Sequence, residues 1–268
     1  MNDRFDLRRF GQYLIYDLRH TWEYFGLSGI ILMCLPLIFF VTFNAILYVL
    51  NGFTPVNLHG SSSIFSIYLL LLIYLFTFSD KVYGGLTDKV RGTSWLMLPS
   101  SRLEKYASMV LITVVIVPLC IAVPFMGLDY LLNMIFPDTY GGSVTSGSFN
   151  AFMNARLDDG QLFTPPYLLL GLSLVSQLLI FLLGSLWFKS RNKSGKTFIC
   201  LMALSILLMI VGYAIMKCFG GDFETILGAI ASLKDASSSI RIGWYAWEII
   251  WVALPAVVIY YRLKTLKH

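Results

Sequence analysis

The chain has 268 residues, of which 57% are hydrophobic and only 13% are charged, and its mean hydropathy is +0.73. Soluble domains carry charge on roughly a quarter of their residues, so this composition excludes an ordinary soluble protein and predicts an all-α integral membrane protein. The net charge of +5 requires no nucleic-acid partner, because cations beside membrane spans face the anionic headgroups of the lipid bilayer.

The hydropathy pattern predicts a single transmembrane domain over residues 1–268, with six spans. A helix needs about 20 mostly apolar residues to cross a hydrocarbon layer roughly 30 Å thick. Sixteen of the 20 Lys and Arg residues lie before the first span, after the second, after the fourth or after the sixth. Since cations near span ends are retained inside the cell, both termini are predicted to be cytoplasmic. The predicted spans are residues 27–50, 62–78, 107–132, 167–188, 197–216 and 244–261.

Residues 1–26 are predicted to form an amphipathic elbow helix. Apolar residues recur there every three or four positions, which places them on one stripe of a helix that lies in the membrane interface. The chain is expected to turn into the first span near Gly26 or Gly29. The pattern fits two roles equally, an anchor for the first span and a contact for a cytoplasmic partner. The stripe consists of Leu7, Phe10, Leu14, Leu18, Trp22 and Phe25.

The third predicted span contains two prolines, Pro118 and Pro124, and is expected to be kinked or broken. Two carboxylates lie near the outer ends of spans. Asp129 is close to the end of the third span, and Glu248 is one turn inside the aromatic start of the sixth. Ionisable residues in spans often mark transport pathways, but an interfacial carboxylate reached by water costs little. Both alternatives stay open for each residue.

No set of residues suggests covalent chemistry or a cofactor. Residues 190–197, SRNKSGKT, end like a phosphate-binding loop, but the leading glycine is Ser190 and the segment joins two membrane helices instead of following a strand. This segment is therefore predicted to be a basic inner turn. The four cysteines lack the spacing of a metal site, and no catalytic motif is visible, so we expect neither a metal site nor an enzyme.

The longest charged interval between two spans is residues 80–105, here called the central loop, within a predicted cytoplasmic segment of residues 79–106. Glycines at 84, 85 and 92 are expected to break the helix of the second span, and Pro99 to stop the next piece. The apolar residues 95–98 suit a groove on a partner, with cations around the rim. The alternative is that these residues are buried among lipid headgroups.

Residues 88–106 read DKVRGTSWLMLPSSRLEKY. This sequence resembles the loop between the second and third spans of exporter-type ABC transporter permeases, the transmembrane subunits of the type-2 ABC exporter family. In that family, Gly-Thr and a short apolar run ending in Leu-x-x-Pro are followed by Ser-Arg before the third span. Here Asp88 and Lys89 stand where the family often has a glutamate. The matching positions are Arg91, Gly92, Thr93, Leu96, Leu98, Pro99, Ser101 and Arg102.

The resemblance implies a permease subunit of an ATP-driven exporter in the bacterial inner membrane, with a substrate pathway shared with a second permease copy or a homologue. ATP and Mg would be bound by a separate ATP-binding cassette ATPase subunit, and the central loop would couple to it. The alternative is an orphan or accessory membrane protein without an ATPase partner. The coupling residues implied are Arg91, Gly92, Trp95, Leu96, Leu98, Pro99 and Arg102, and the pathway candidates are Asp129 and Glu248.

Overall fold

A computed structural model describes residues 5–50, 61–87, 92, 95, 97–140, 165–189, 192–218 and 238–265. Over these residues the chain is helical and contains no strand. A 3₁₀ turn over Gly84–Thr87 follows the third helix, and a π-helical turn over Ile112–Ile116 joins the fourth helix to the fifth. The α-helices are α1 Leu7–Met33, α2 Leu35–Leu50, α3 Ser61–Val82, α4 Arg102–Leu111, α5 Val117–Ile135, α6 Pro137–Tyr140, α7 Pro165–Trp187, α8 Lys193–Cys218 and α9 Ser238–Thr265.

Four of the described helices are long and apolar enough to cross a membrane, namely Ser62–Val82, Arg102–Ile135, Lys193–Val211 and Tyr245–Thr265. The bent pair α1 and α2 gives a fifth candidate if it is one span, and Gly171–Trp187 is a shorter apolar helix. The chain is thus a helical protein with several membrane-compatible helices. The count of six spans and the cytoplasmic position of the termini remain predictions.

The bend expected near Gly26 or Gly29 lies further along the chain. α1 continues to Met33, and the axis changes by 45° at the break before α2. Pro36 explains the position, since its ring has no N–H and crowds the carbonyl four residues earlier. Gly26 has a different role, because a Cβ there would lie 3.1 Å from the Trp22 indole. Because it has no side chain, Gly26 leaves space for the indole, and α1 continues through this position without a break.

The face of α1 that packs on the rest of the protein also differs from the predicted stripe. α1 buries a residue at every fourth position from Tyr13 to Phe25. Two of these buried residues, Asp17 and Thr21, are polar. Within the predicted stripe, Leu7 and Trp22 remain 77% and 64% exposed, whereas Phe25 is buried. The stripe is therefore divided between the surface and the core, because α1 packs through hydrogen bonds as well as apolar contacts.

An aromatic cluster joins α1 to α3 in the main core. The Phe25 ring packs edge-on against Phe78 with 5.0 Å between centroids, and Tyr74 stacks on Phe78 at 4.9 Å. All three side chains are buried. Such aromatic pairs add to the free energy gained from burial alone. This cluster holds the second half of α1 against α3, next to the central loop.

The third predicted span is not broken at its prolines. Arg102–Ile135 forms one candidate span of 34 residues, in which the π turn immediately precedes Pro118. Pro124 lies inside α5. A π turn accommodates one extra residue and shifts the hydrogen-bond ladder, which relieves the proline without ending the helix. The expected irregularity is therefore present as a local change of helix type.

Candidate functional site

The first end of the central loop is attached to the start of α8. One carboxylate oxygen of Asp80 accepts hydrogen bonds from the backbone N–H groups of Lys193 and Ser194, at 3.2 and 3.3 Å. The buried Lys193 ammonium donates to the Gly84 carbonyl and to the Thr87 hydroxyl of the 3₁₀ turn. A carboxylate at a helix N-terminus is stabilised by the free N–H groups there. Lys193 thus acts as a structural residue that joins the start of α8 to the turn after α3.

The second end of the loop is attached to the start of α1 through Glu104. The Ser101 hydroxyl and the Glu104 carboxylate form a capping box at the start of α4. Glu104 is fully buried, accepts the Asp6 backbone N–H at 2.9 Å and lies 3.3 Å from the Arg9 guanidinium. A buried carboxylate is stable only when it is paired and hydrogen-bonded in this way. Glu104 was not among the predicted site residues, although the Ser-x-x-Glu pattern of a capping box is visible in the sequence.

Trp95 is docked on α1 and does not project outward. Its indole N–H donates to the Tyr13 hydroxyl at 2.8 Å. Lys105 donates to the Trp95 carbonyl at 2.8 Å, and its ammonium lies 4.8 Å from the indole centroid. Trp95 is thus half-buried against α1 in this structure, and its seating in a partner's groove remains a prediction. Trp95 holds the middle of the central loop against α1.

A buried carboxylate on α1 completes these contacts. Asp17 is only 4% exposed, and its carboxylate accepts from the Ser108 hydroxyl at 2.8 Å and from the Tyr83 hydroxyl at 3.3 Å. Burial, followed by the nearby Asp17 carboxylate, raises the pKa of Tyr83 well above its ordinary value. Tyr83 consequently keeps its proton and remains a donor. Asp17 joins α1, α4 and the end of α3 at one point. It was not among the predicted site residues, because no local pattern marks a carboxylate whose partners are distant in the chain.

The described residues of the central loop that face outward include both apolar and cationic side chains. Met97 is 78% exposed, and Pro99 and Arg102 are also exposed. Leu98 is half-buried, and Gly92 is buried. Of the other residues predicted to couple to a partner, Arg91 and Leu96 lie outside the described residues.

The two predicted pathway carboxylates occupy different environments. Asp129 is fully buried and accepts hydrogen bonds from the Ser63 hydroxyl at 2.5 Å and from the Tyr140 hydroxyl. It therefore meets neither headgroups nor an open passage in this conformation and links α5 to the start of α3 and to α6. Burial and the bond to Asp129 raise the pKa of Tyr140. Glu248 is half-buried on α9.

Four cationic segments meet at one end of the helices. Arg9 reaches Glu104 at the start of α4, and Lys193 reaches the turn after α3. On α9, the Arg262 guanidinium donates to the Leu186 carbonyl at 3.4 Å, beside the Trp187 ring. The N-terminal segment, the central loop, the turn before α8 and the end of α9 are thus neighbours. The charge pattern predicted that these four segments lie at the same end of the helices. The side of the membrane that this end faces remains a prediction.

Among the described residues, no group of three or more His, Cys, Asp or Glu side chains could hold a metal ion. Comparisons of the chain with protein-family models, with curated proteins and with solved structures give no match. The likeness of residues 88–106 to exporter permeases therefore rests on the sequence motif alone.

Proposed function

We propose that this chain is the transmembrane permease subunit of an ATP-driven exporter in a cell membrane, and that the central loop couples it to a separate ATPase subunit. A second copy of the chain or a homologue would complete the substrate pathway. The observation that supports this proposal best is the attachment of the central loop at both ends, to α8 through Lys193 and to α1 through Glu104. The loop presents Met97 between these attachments.

A loop attached in this way can transmit a displacement into the bundle. The Asp80 and Lys193 contacts connect it to α8, and the Trp95 and Glu104 contacts connect it to α1. Polar contacts at several points along the loop resist its separation from α1 and α8, so the connected helices are expected to move with the loop. ATP-driven closure of a partner against the loop would then act on α1 and α8 together as a rigid-body change.

The exposed part of the loop suits a partner with an apolar pocket. Met97 is an adaptable apolar side chain, and the exposed Arg102 lies five residues further along the chain. An apolar centre with a charged rim is the usual anatomy of a protein interface. We therefore expect the partner to provide an apolar groove bordered by carboxylates. If the chain is instead an accessory protein, Met97 inserts among lipid headgroups and no ATPase partner exists.

The test is affinity purification of the tagged chain from native membranes in mild detergent, followed by mass spectrometry. We expect an ATP-binding subunit to be recovered with the unaltered chain and to be lost with Met97→Asp. The matched control is Met134→Asp, because Met134 is similarly exposed at 71% but lies at the opposite end of the long span. Recovery of no ATP-binding chain would favour the accessory alternative, and equal recovery with both variants would remove Met97 from the interface.

A further inference from the structure

The π turn over Ile112–Ile116 leaves one backbone carbonyl without its usual donor. In this turn the Val117 N–H donates to the carbonyl of Ile112, five residues earlier. In an α-helix the same N–H would serve Thr113, four residues earlier. The next residue in the π ladder is Pro118, which has no N–H to donate. The Thr113 carbonyl thus has no main-chain donor in this register.

The Tyr74 side chain on α3 supplies the missing hydrogen bond. Its hydroxyl donates to the Thr113 carbonyl at 2.9 Å. Both residues are buried, so water cannot replace this donor. An unpaired carbonyl is particularly costly in an apolar membrane interior, because no solvent is available to satisfy it. The hydroxyl of Tyr74 therefore occupies the place of the N–H that Pro118 lacks.

Neighbouring aromatic rings fix the position of this hydroxyl. The Tyr74 ring stacks on Phe78, and the Phe25 ring of α1 meets it edge-on with 6.0 Å between centroids. The ring is enclosed by α1, α3 and the long span, which limits its freedom before the hydrogen bond forms. A donor held in place in this way loses little conformational entropy on bonding.

The π turn also sets which face of α4 meets α1. One extra residue in a turn rotates the preceding helix by about 100° relative to the following one, since an α-helix has 3.6 residues per turn. With the turn present, Ser108 reaches Asp17 at 2.8 Å and Glu104 reaches Arg9 at 3.3 Å. A return to regular α-helix would rotate both residues away from α1. The π turn is thus a condition for docking the central loop on α1.

We propose that Tyr74 and Pro118 together hold the candidate span Arg102–Ile135 in the hydrogen-bond register of the π turn, an arrangement called here the register lock. Pro118 disfavours the regular α-helix, the Tyr74 hydroxyl stabilises the π turn, and release of this bond lets α4 turn with the attached loop. The lock follows from the geometry of the span and does not depend on the identity of any partner. The lock differs from a simple packing contact. The Thr113 carbonyl needs the Tyr74 hydroxyl only because Pro118 has no N–H to donate to it.

A double-mutant cycle tests this dependence. Tyr74→Phe removes only the hydroxyl, and Pro118→Ala restores an N–H at position 118. We expect Tyr74→Phe to lower the midpoint of thermal unfolding in detergent, and to lower it much less when Pro118→Ala is also present. The control is Tyr106→Phe, whose hydroxyl donates to the Ala256 carbonyl at 3.1 Å and should lower the midpoint equally in both backgrounds. Should Pro118→Ala fail to fold, Pro118→Leu restores the same N–H.

Hydrogen exchange on the folded variants gives a second measurement. Tyr74→Phe is expected to speed exchange in residues 108–117, and Pro118→Ala to restore slow exchange in the double variant. The proposal is overturned if Tyr74→Phe has no effect on stability, or if its effect on stability is the same with and without the proline.

Discussion

Gly184 on α7 lies in close contact with Thr197 on α8, and Gly184→Ala tests whether this contact stabilises the fold. A Cβ at position 184 would lie 2.7 Å from the Thr197 Cγ2 and 2.8 Å from its Cβ, and it would overlap the hydroxyl oxygen. These distances are shorter than real side chains adopt, so the helices must separate or Thr197 must rotate. The Thr197 hydroxyl donates to the Lys193 carbonyl at 2.9 Å, and rotation would break that bond.

The expected cost of Gly184→Ala combines two effects. Overpacking of a filled site costs about 1–3 kcal/mol, and loss of one hydrogen bond costs about 1 kcal/mol. The better helix propensity of alanine returns about 0.5–1 kcal/mol. We therefore expect the free energy of unfolding to fall by about 1–3 kcal/mol in a detergent unfolding assay. Thr197→Ala should relieve part of this loss in the double variant, because it removes two of the three crowded atoms.

The matched control is Gly171→Ala on the same helix. A Cβ at position 171 would meet nothing within 4 Å, so only the gain in helix propensity remains. Gly171→Ala should leave the thermal midpoint unchanged or raise it slightly. Equal midpoints for the two alanine variants would refute the reasoning, because they would show that α7 and α8 are not in close contact at position 184.

Three further predictions concern the contacts around the central loop. Asp17→Leu leaves two buried hydroxyl groups without their acceptor and should cost about 2–5 kcal/mol in the same unfolding assay, whereas the exposed Asp138→Leu should change stability by less than about 0.5 kcal/mol. Lys193→Met removes the donor to the turn after α3 and should speed hydrogen exchange in residues 84–87, while the exposed Lys196→Met should not; slow exchange in both would contradict the assigned contact. Trp95→Phe removes the indole N–H and should speed proteolysis within the loop, with unchanged cleavage counting against docking on α1.

The predicted spans were largely recognisable because hydropathy is a local property. Four predicted spans, residues 62–78, 107–132, 197–216 and 244–261, lie within or largely overlap described helices that can cross a membrane. The prolines of the third span signalled an irregular helix, which is present as the π turn. Neither signal needed a distant partner, since apolar runs and missing N–H groups act on the nearest turns.

The position of the central loop between two apolar helices was visible in the sequence, and its cytoplasmic side remains a prediction. The contacts of its residues, however, depended on segments elsewhere in the chain. Trp95 had the exposed, interface-like character that a sequence suggests for an isolated aromatic residue. Its actual neighbour, Tyr13, is 82 residues away in the chain. The exposed position belongs to Met97, two residues later. Both residues are helical, and two positions along a helix rotate a side chain by about 200° around the axis, so the packing of the segment decides which of them faces outward.

The sequence by itself determined the helical membrane class, the main apolar helices and the cations that gather at one end, because these follow from composition and from residues close in the chain. Only the tertiary structure decided which face of α1 is buried and which carboxylates are enclosed. The partners of Asp17 are 66 and 91 residues away, and Ser63 meets Asp129 across 66 residues. A carboxylate is stable inside the protein only where such distant donors converge on it, and that convergence is a property of helix packing.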